Sequence, residues 1–133
     1  MSYTASVLLA PSSNISLQNA EVKLLEFFSN ERTQDPVNIQ IRENKLVLTF
    51  NSWSLYIHLQ SEPDVLEESK EMANIFGQNH PDVSVIATCT TRFVISCDPD
   101  ESIDHFNDYI LTLEQLSSIP GAFVFDNASQ EFI

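Results

Sequence analysis

Hydrophobic residues recur along the chain with two different periods, and the changes of period mark the predicted elements. A short strand is predicted over residues 3–9. A loop at residues 11–14 then leads to a helix with an N-cap at Ser16 and an end near Asn30. The apolar stripe of this helix comprises Leu17, Ala20, Leu24 and Phe28. Such an amphipathic helix is typical of one that packs on a sheet.

From residue 37 to residue 60 the period is two, which predicts a three-stranded meander with tight turns at Glu43-Asn44 and Asn51-Ser52. Its apolar face holds Val37, Ile39, Ile41, Leu46, Leu48, Phe50, Trp53, Leu55, Ile57 and Leu59. Its polar face holds Asn38, Gln40, Arg42, Thr49, Tyr56, His58 and Gln60. This alternation is expected where one face meets helices and the other meets water or a partner.

A second helix is predicted to begin at Pro63 and to end at Gly77 in the left-handed conformation. Alternation over residues 83–97 then predicts a second hairpin with its turn at residues 90–92, or one bent strand.

A third helix is predicted from an N-cap at Asp98, with Pro99 in its first turn, to about Ser117. Its buried stripe is Ile103, Phe106, Ile110 and Leu113. A short strand follows at residues 122–125. These elements predict a single α+β domain over residues 1–133, a two-layer sandwich in which amphipathic helices pack on one face of a mainly antiparallel sheet.

Between residues 16 and 117 the predicted order is helix, three strands, helix, two strands, helix. This order, together with the length and acidity of the chain, resembles the class I type III secretion chaperones. The resemblance implies a homodimer that binds an unfolded segment of another protein and performs no chemistry. The strands predicted before residue 16 and after Pro120 are additions to that pattern.

Charge separates the two halves of the chain. Six Lys and Arg residues oppose nineteen Asp and Glu residues, a net charge of −13, which disfavours nucleic acid and anionic membranes as partners. Residues 62–133 hold fourteen acids against Lys70 and Arg92. This half is expected either to confer solubility or to attract a basic partner.

No secretion signal or membrane-spanning run is visible, and Cys89 and Cys97 lie in apolar sequence, so a cytoplasmic protein with free thiols is expected. Only Gly77 and Gly121 are glycines, which excludes P-loop and dinucleotide-binding fingerprints. No cofactor is expected.

One cluster of residues could hold a divalent cation: Asp98, Asp100, Glu101, Asp104, His105 and Asp108. An EF-hand is excluded, because Ile103 and Tyr109 occupy the glycine and glutamate positions of that loop. Helix capping and a solvated face explain the same acids and are favoured. General-base roles for His58 or His80 are disfavoured, because no spacing supplies them with a nucleophile or second carboxylate. A nucleophilic role for either cysteine is disfavoured, because a thiolate needs an electropositive setting that six Lys and Arg residues poorly provide.

The favoured function is a non-enzymatic, acidic protein-interaction module, either an adaptor or chaperone-like. Its predicted contact residues are Glu67, Glu68, Glu71, Asp104 and Asp108, with Gln40, Tyr56 and His58 on the polar sheet face. One alternative is an immunity protein or nucleic-acid mimic that inhibits a basic enzyme. A second alternative is a small metal-dependent hydrolase that uses the acids of the third helix with His105.

Overall fold

The structure, a computed structural model, describes residues 3–31 and 37–133. The strands are β1 (Ala5–Leu9), β2 (Val37–Arg42), β3 (Lys45–Phe50), β4 (Trp53–Gln60), β5 (Thr91–Cys97), β6 (Ala122–Asp126) and β7 (Glu131–Phe132). The helices are α1 (Leu17–Glu31), α2 (Asp64–Phe76), α3 (Val83–Ile86) and α4 (Phe106–Ser117). None of these helices is both long and apolar enough to cross a membrane.

The seven strands form one antiparallel sheet in the order β2-β3-β4-β5-β1-β6-β7, which confirms the predicted α+β class. β1 lies between β5 and β6 and pairs along its full length with both. The segment at the start of the chain therefore occupies the middle of the sheet. Consequently β5 and β6 run parallel on either side of β1, and α4 makes the crossover between them.

The helices cover both faces of the sheet, which corrects the predicted two-layer arrangement. α1 and α4 pack on the face that carries Val7 and Leu9 of β1, in the larger core. Leu8 points the other way and packs with Ala73 of α2 and Ile86 of α3. Because neighbouring residues of a strand face opposite sides, α2 and α3 form a third layer over β1.

The predicted meander is confirmed as β2, β3 and β4 in continuous register. Glu43 and Asn44 have φ angles of 51° and 65°, the positive values that a two-residue type I′ turn requires. The apolar residues face α1 and α4 as predicted, except that Leu59, near the end of β4, is 38% exposed.

The predicted second hairpin is wrong in its first strand. Residues 83–86 form the short helix α3, and the chain enters the sheet only at β5. Both edges of β5 are already paired, with β4 on one side and β1 on the other. No edge of β5 remains for a strand at residues 83–89, and this segment instead buries Ile86 and Cys89 over Leu8.

The ends of two helices also differ from prediction. α4 begins at Phe106, and residues 98–105 form a loop, so Asp98 is not an N-cap. Ile103 and Phe106, assigned to the buried stripe of this helix, are 54% and 43% exposed. Gly77 ends α2 with a φ of −104°, which is not left-handed. A side chain at position 77 would instead approach the backbone of Ala73 at 3.1 Å, so glycine allows close packing there.

The element order that carries the chaperone resemblance changes at one point, because α3 and β5 replace the predicted strand pair at residues 83–97. The resemblance itself remains a prediction.

The predicted N-cap of α1 at Ser16 is confirmed, because the Oγ of Ser16 accepts a hydrogen bond from the Asn19 amide at 3.2 Å.

Trp53 is 4% exposed and packs against Phe50 and His105, while its Nε1 donates to the Asp98 carbonyl at 2.8 Å. We expect Trp53→Ala to lower the free energy of unfolding by about 3–5 kcal/mol, as truncation of a large core side chain does. Leu59→Ala, on the same strand but exposed, is the control and should cost less than about 1 kcal/mol. Urea denaturation measures both, and equal losses would contradict the assigned core.

Candidate functional site

The polar side of the meander is a broad open surface, which we call the open sheet face. Its residues are Asn38, Gln40, Arg42, Lys45, Val47, Thr49, Ser54, Tyr56 and His58. Among the described elements α2 makes its main sheet contacts with β5, and Asn38, Arg42 and Lys45 are exposed on this face. A shallow groove of about 600 Å³ crosses it, lined by Arg42, Glu43, Lys45, Val47, Ser54 and Tyr56.

Three basic side chains form one cross-strand row on this face. Arg42 of β2 lies opposite Lys45 of β3, and Lys45 lies opposite His58 of β4. Arg42 and Lys45 form no ion pair with any residue that the structure describes, whereas Arg92 on β5 pairs with Glu68. Like charges directly opposite each other destabilise a sheet, so the pairing of Arg42 with Lys45 is unfavourable by itself and suits an acidic ligand.

Tyr56 is fixed in the floor of the groove. Its hydroxyl donates to Oδ1 of Asp98 at 2.9 Å, and the Ser54 amide donates to Oδ2 of the same carboxylate at 3.0 Å. The hydrogen bond to Asp98, together with burial, raises the pKa of Tyr56. Asp98 therefore ties the start of the 98–105 loop to β4 instead of capping a helix, which corrects its predicted role.

Asp100 anchors the middle of the same loop and is 4% exposed. It accepts hydrogen bonds from the Tyr3 hydroxyl at 2.6 Å and from the amides of Asp104 and His105 at 3.1 and 3.0 Å. Burial alone would raise the pKa of this carboxyl, but these hydrogen bonds and the nearby His105 outweigh it and lower the pKa. Burial and the same carboxylate raise the pKa of Tyr3 to about 12.

The acids of this loop surround a depression of about 370 Å³ beside Trp53. The His105 ring stacks on Trp53 with centroids 4.8 Å apart, and its Nδ1 lies 3.0 Å from Oδ2 of Asp108. Within residues 3–31 and 37–133, no three His, Cys, Asp or Glu side chains are arranged to hold a metal ion. The arrangement needed by the hydrolase alternative is not assembled there.

The acids predicted to form one field lie on opposite sides of the sheet. Glu67, Glu68 and Glu71 belong to α2, whereas Asp104 lies in the loop before α4 and Asp108 lies in the first turn of α4. Because α2 and α4 pack on different faces, the structure does not bring these five residues together. Glu68 is paired with Arg92, and Glu67 lies 3.8 Å from the Lys70 ammonium. The α2 acids share their side of the sheet with Gln40, Tyr56 and His58.

Cys89, Cys97 and His80, the other candidates for a nucleophile or general base, are engaged in packing and hydrogen bonds within the fold. Burial raises the pKa of Cys89 to about 11 and that of Cys97 to about 12, which keeps both free thiols protonated at neutral pH. His80 is half-buried, with ring centroids 5.8 Å from those of Phe123 and Phe132. Its Nδ1 accepts a hydrogen bond from the Asp82 amide at 3.0 Å.

Sequence reasoning missed the pairing of Arg42 with Lys45, although its signal is local. A two-residue turn at Glu43-Asn44 places the residues before and after it directly opposite each other. The Tyr3–Asp100 contact had no such signal, because 97 positions separate its partners.

No protein-family model matches the chain, and no curated protein is significantly similar to it in sequence. Function is therefore inferred from the geometry of the surfaces described above.

We expect Asp98→Asn to destabilise the fold by about 1–2 kcal/mol, because both hydrogen bonds lose their charged acceptor and the Tyr56 hydroxyl would have to accept from the new amide instead of donating. Asp104→Asn, at an exposed position in the same loop, is the matched control and should change stability by less than about 0.5 kcal/mol. Urea denaturation at neutral pH gives both values. An Asp98→Asn variant with an unchanged free energy of unfolding would instead favour the capping role.

Asp100 should make stability depend on pH. Its folded-state pKa is lowered, so its contribution is complete above the ordinary carboxyl pKa of about 4 and is lost as pH falls through the folded-state pKa. The destabilisation by Asp100→Asn should therefore be largest above about pH 5 and shrink in more acidic solution. Thermal unfolding from pH 7 to pH 2 tests this. A destabilisation that stayed constant over that range would contradict the assigned hydrogen bonds.

Proposed function

We propose that the protein is a non-enzymatic interaction module, of adaptor or chaperone-like type, that binds another protein through the open sheet face. The observation that carries this proposal is the row of Arg42, Lys45 and His58 on an exposed sheet surface, with two cations left without a described acidic partner. A binding partner that supplied carboxylates would remove the repulsion within this row.

The rigidity of the surface also supports a binding role. Tyr56 is held by Asp98, and Val47 beside it is 7% exposed, so the floor of the groove is ordered before any partner arrives. An ordered surface loses less conformational freedom on binding than a mobile one does. The two free thiols, buried at Cys89 and half-buried at Cys97, support a reducing compartment, and we propose the cytoplasm.

A second candidate is the acidic inhibitor of a basic enzyme. It is favoured by the acid-lined depression around residues 98–105, where Glu101 and Asp104 are exposed. The α2 acids lie across the sheet, so such an inhibitor would use the loop acids without them. Binding of this kind would weaken steeply with added salt.

Site-specific photo-crosslinking distinguishes the two functions. A photoreactive residue is placed in the full chain at Gln40 on the open sheet face, at Glu101 in the acidic depression, or at exposed Gln18 on α1 as the control. Each variant is irradiated in an extract of cells that naturally make the protein. We expect one discrete protein adduct from position 40 and none from position 18.

Adducts from position 101 that disappear with added salt would favour the inhibitor instead. The absence of a discrete adduct at position 40 would overturn the proposed function.

A further inference from the structure

β2 is the outermost strand on its side of the sheet, and no other strand among the described residues pairs with its free edge. Arg42 and Lys45 flank a two-residue turn, so their backbones hydrogen-bond to each other. Hydrogen-bonded and non-hydrogen-bonded pairs alternate along an antiparallel ladder, so Gln40–Val47 and Asn38–Thr49 are also hydrogen-bonded pairs. The amides of Ile39 and Ile41 therefore point away from β3. They are available to hydrogen-bond an added strand.

The side chains around this edge differ between the two faces of the sheet. On the core side, Val37 and Ile41 are partly buried and border α1, so they leave an apolar margin. On the other side lie Asn38, Gln40 and Arg42, with Lys45 one strand further in. A strand added beside β2 would thus meet apolar groups with every second side chain and polar or cationic groups with the others.

Charge selects among the possible added strands. The chain has nineteen acids for six Lys and Arg residues, yet the structure leaves Arg42 and Lys45 adjacent and without a described acidic partner. A basic segment would add to the repulsion in this row, and a neutral one would leave it unchanged. Carboxylates on the partner would relieve it, beyond what Glu43 at the edge of the same groove does.

We propose that β2 binds an extended acidic segment of another protein by strand addition, with the carboxylates on the open sheet face beside Arg42 and Lys45. This inference rests on the proposed function and specifies its partner chemistry. Main-chain hydrogen bonds to Ile39 and Ile41 would supply affinity, and the alternation of acidic with apolar residues would supply specificity. The contrasting explanation of the same charges is protection of the edge against aggregation, which requires no ligand.

The first test is selection of a random-peptide phage library on the intact protein at neutral pH. We expect enriched peptides with Asp or Glu at alternating positions, separated by apolar residues. A synthetic copy of the most enriched peptide should bind Arg42→Glu/Lys45→Glu about tenfold more weakly or worse. Lys23→Glu/Lys70→Glu carries the same net charge and should bind within about twofold of the original protein.

The second measurement locates the peptide at the edge. In amide exchange followed by NMR, peptide binding should slow the Ile39 and Ile41 amides by about tenfold or more. The Gln40 amide, already bonded to β3, should change little. Circular dichroism and thermal unfolding confirm that each charge variant remains folded.

Four results would overturn the inference, three of them from the measurements above. Those three are selection of basic or uncharged peptides, equal weakening by the two double variants, and unchanged exchange at Ile39 and Ile41. A protein that is already dimeric through β2 before peptide is added would identify a second copy as the occupant, which also overturns it. Each of these results is compatible with crosslinking at Gln40, so the proposed function is tested separately.

Discussion

The burial of β1 determines the arrangement of the other elements. This five-residue strand pairs on both edges and has apolar side chains on both faces, with Val7 and Leu8 each fully buried. A strand of this kind needs a cover on either side, because apolar groups on both faces must leave water. α1 and α4 supply one cover, and α2 with α3 supplies the other. These second-side helices reach β5 but leave the meander open, and this creates the open sheet face.

Local patterns in the sequence predicted the meander because its register depends on short turns and alternating side chains. Glu43-Asn44 and Asn51-Ser52 each join neighbouring strands, so each pairing involves residues that are close in the chain. The segment at residues 83–89 alternates equally well but becomes α3 and the loop that follows. The conformation of this segment depends on β1, which lies some eighty positions earlier in the chain. β1 pairs with the edge of β5 that a second strand at residues 83–89 would need. Alternation over a few residues carries no information about such distant competition.

The positions of the acidic residues likewise could not be predicted from local sequence patterns. Their number predicted a negative surface, but their positions in space depend on which helix covers which face. Asp98 accepts hydrogen bonds from Ser54 and Tyr56, and Asp100 accepts one from Tyr3. Both carboxylates therefore act as acceptors of structural hydrogen bonds more than as surface charges. Gln40, Tyr56 and His58 were correctly placed on one polar face, because a period of two is sufficient to assign them.

Asp98 connects the acid-rich residues 62–133 with the cationic groove on the open sheet face. It comes from the acidic half of the chain, yet its carboxylate holds Tyr56 in the floor of the groove beside Arg42. The repulsion between Arg42 and Lys45 costs a fraction of about 1 kcal/mol, which a domain of this size tolerates. The free protein bears that cost at all times, since the turn at Glu43-Asn44 fixes the two residues opposite each other. A carboxylate on the added strand that we propose would meet both cations in one place. Relief of this small cost would then favour an acidic segment over a neutral or basic one.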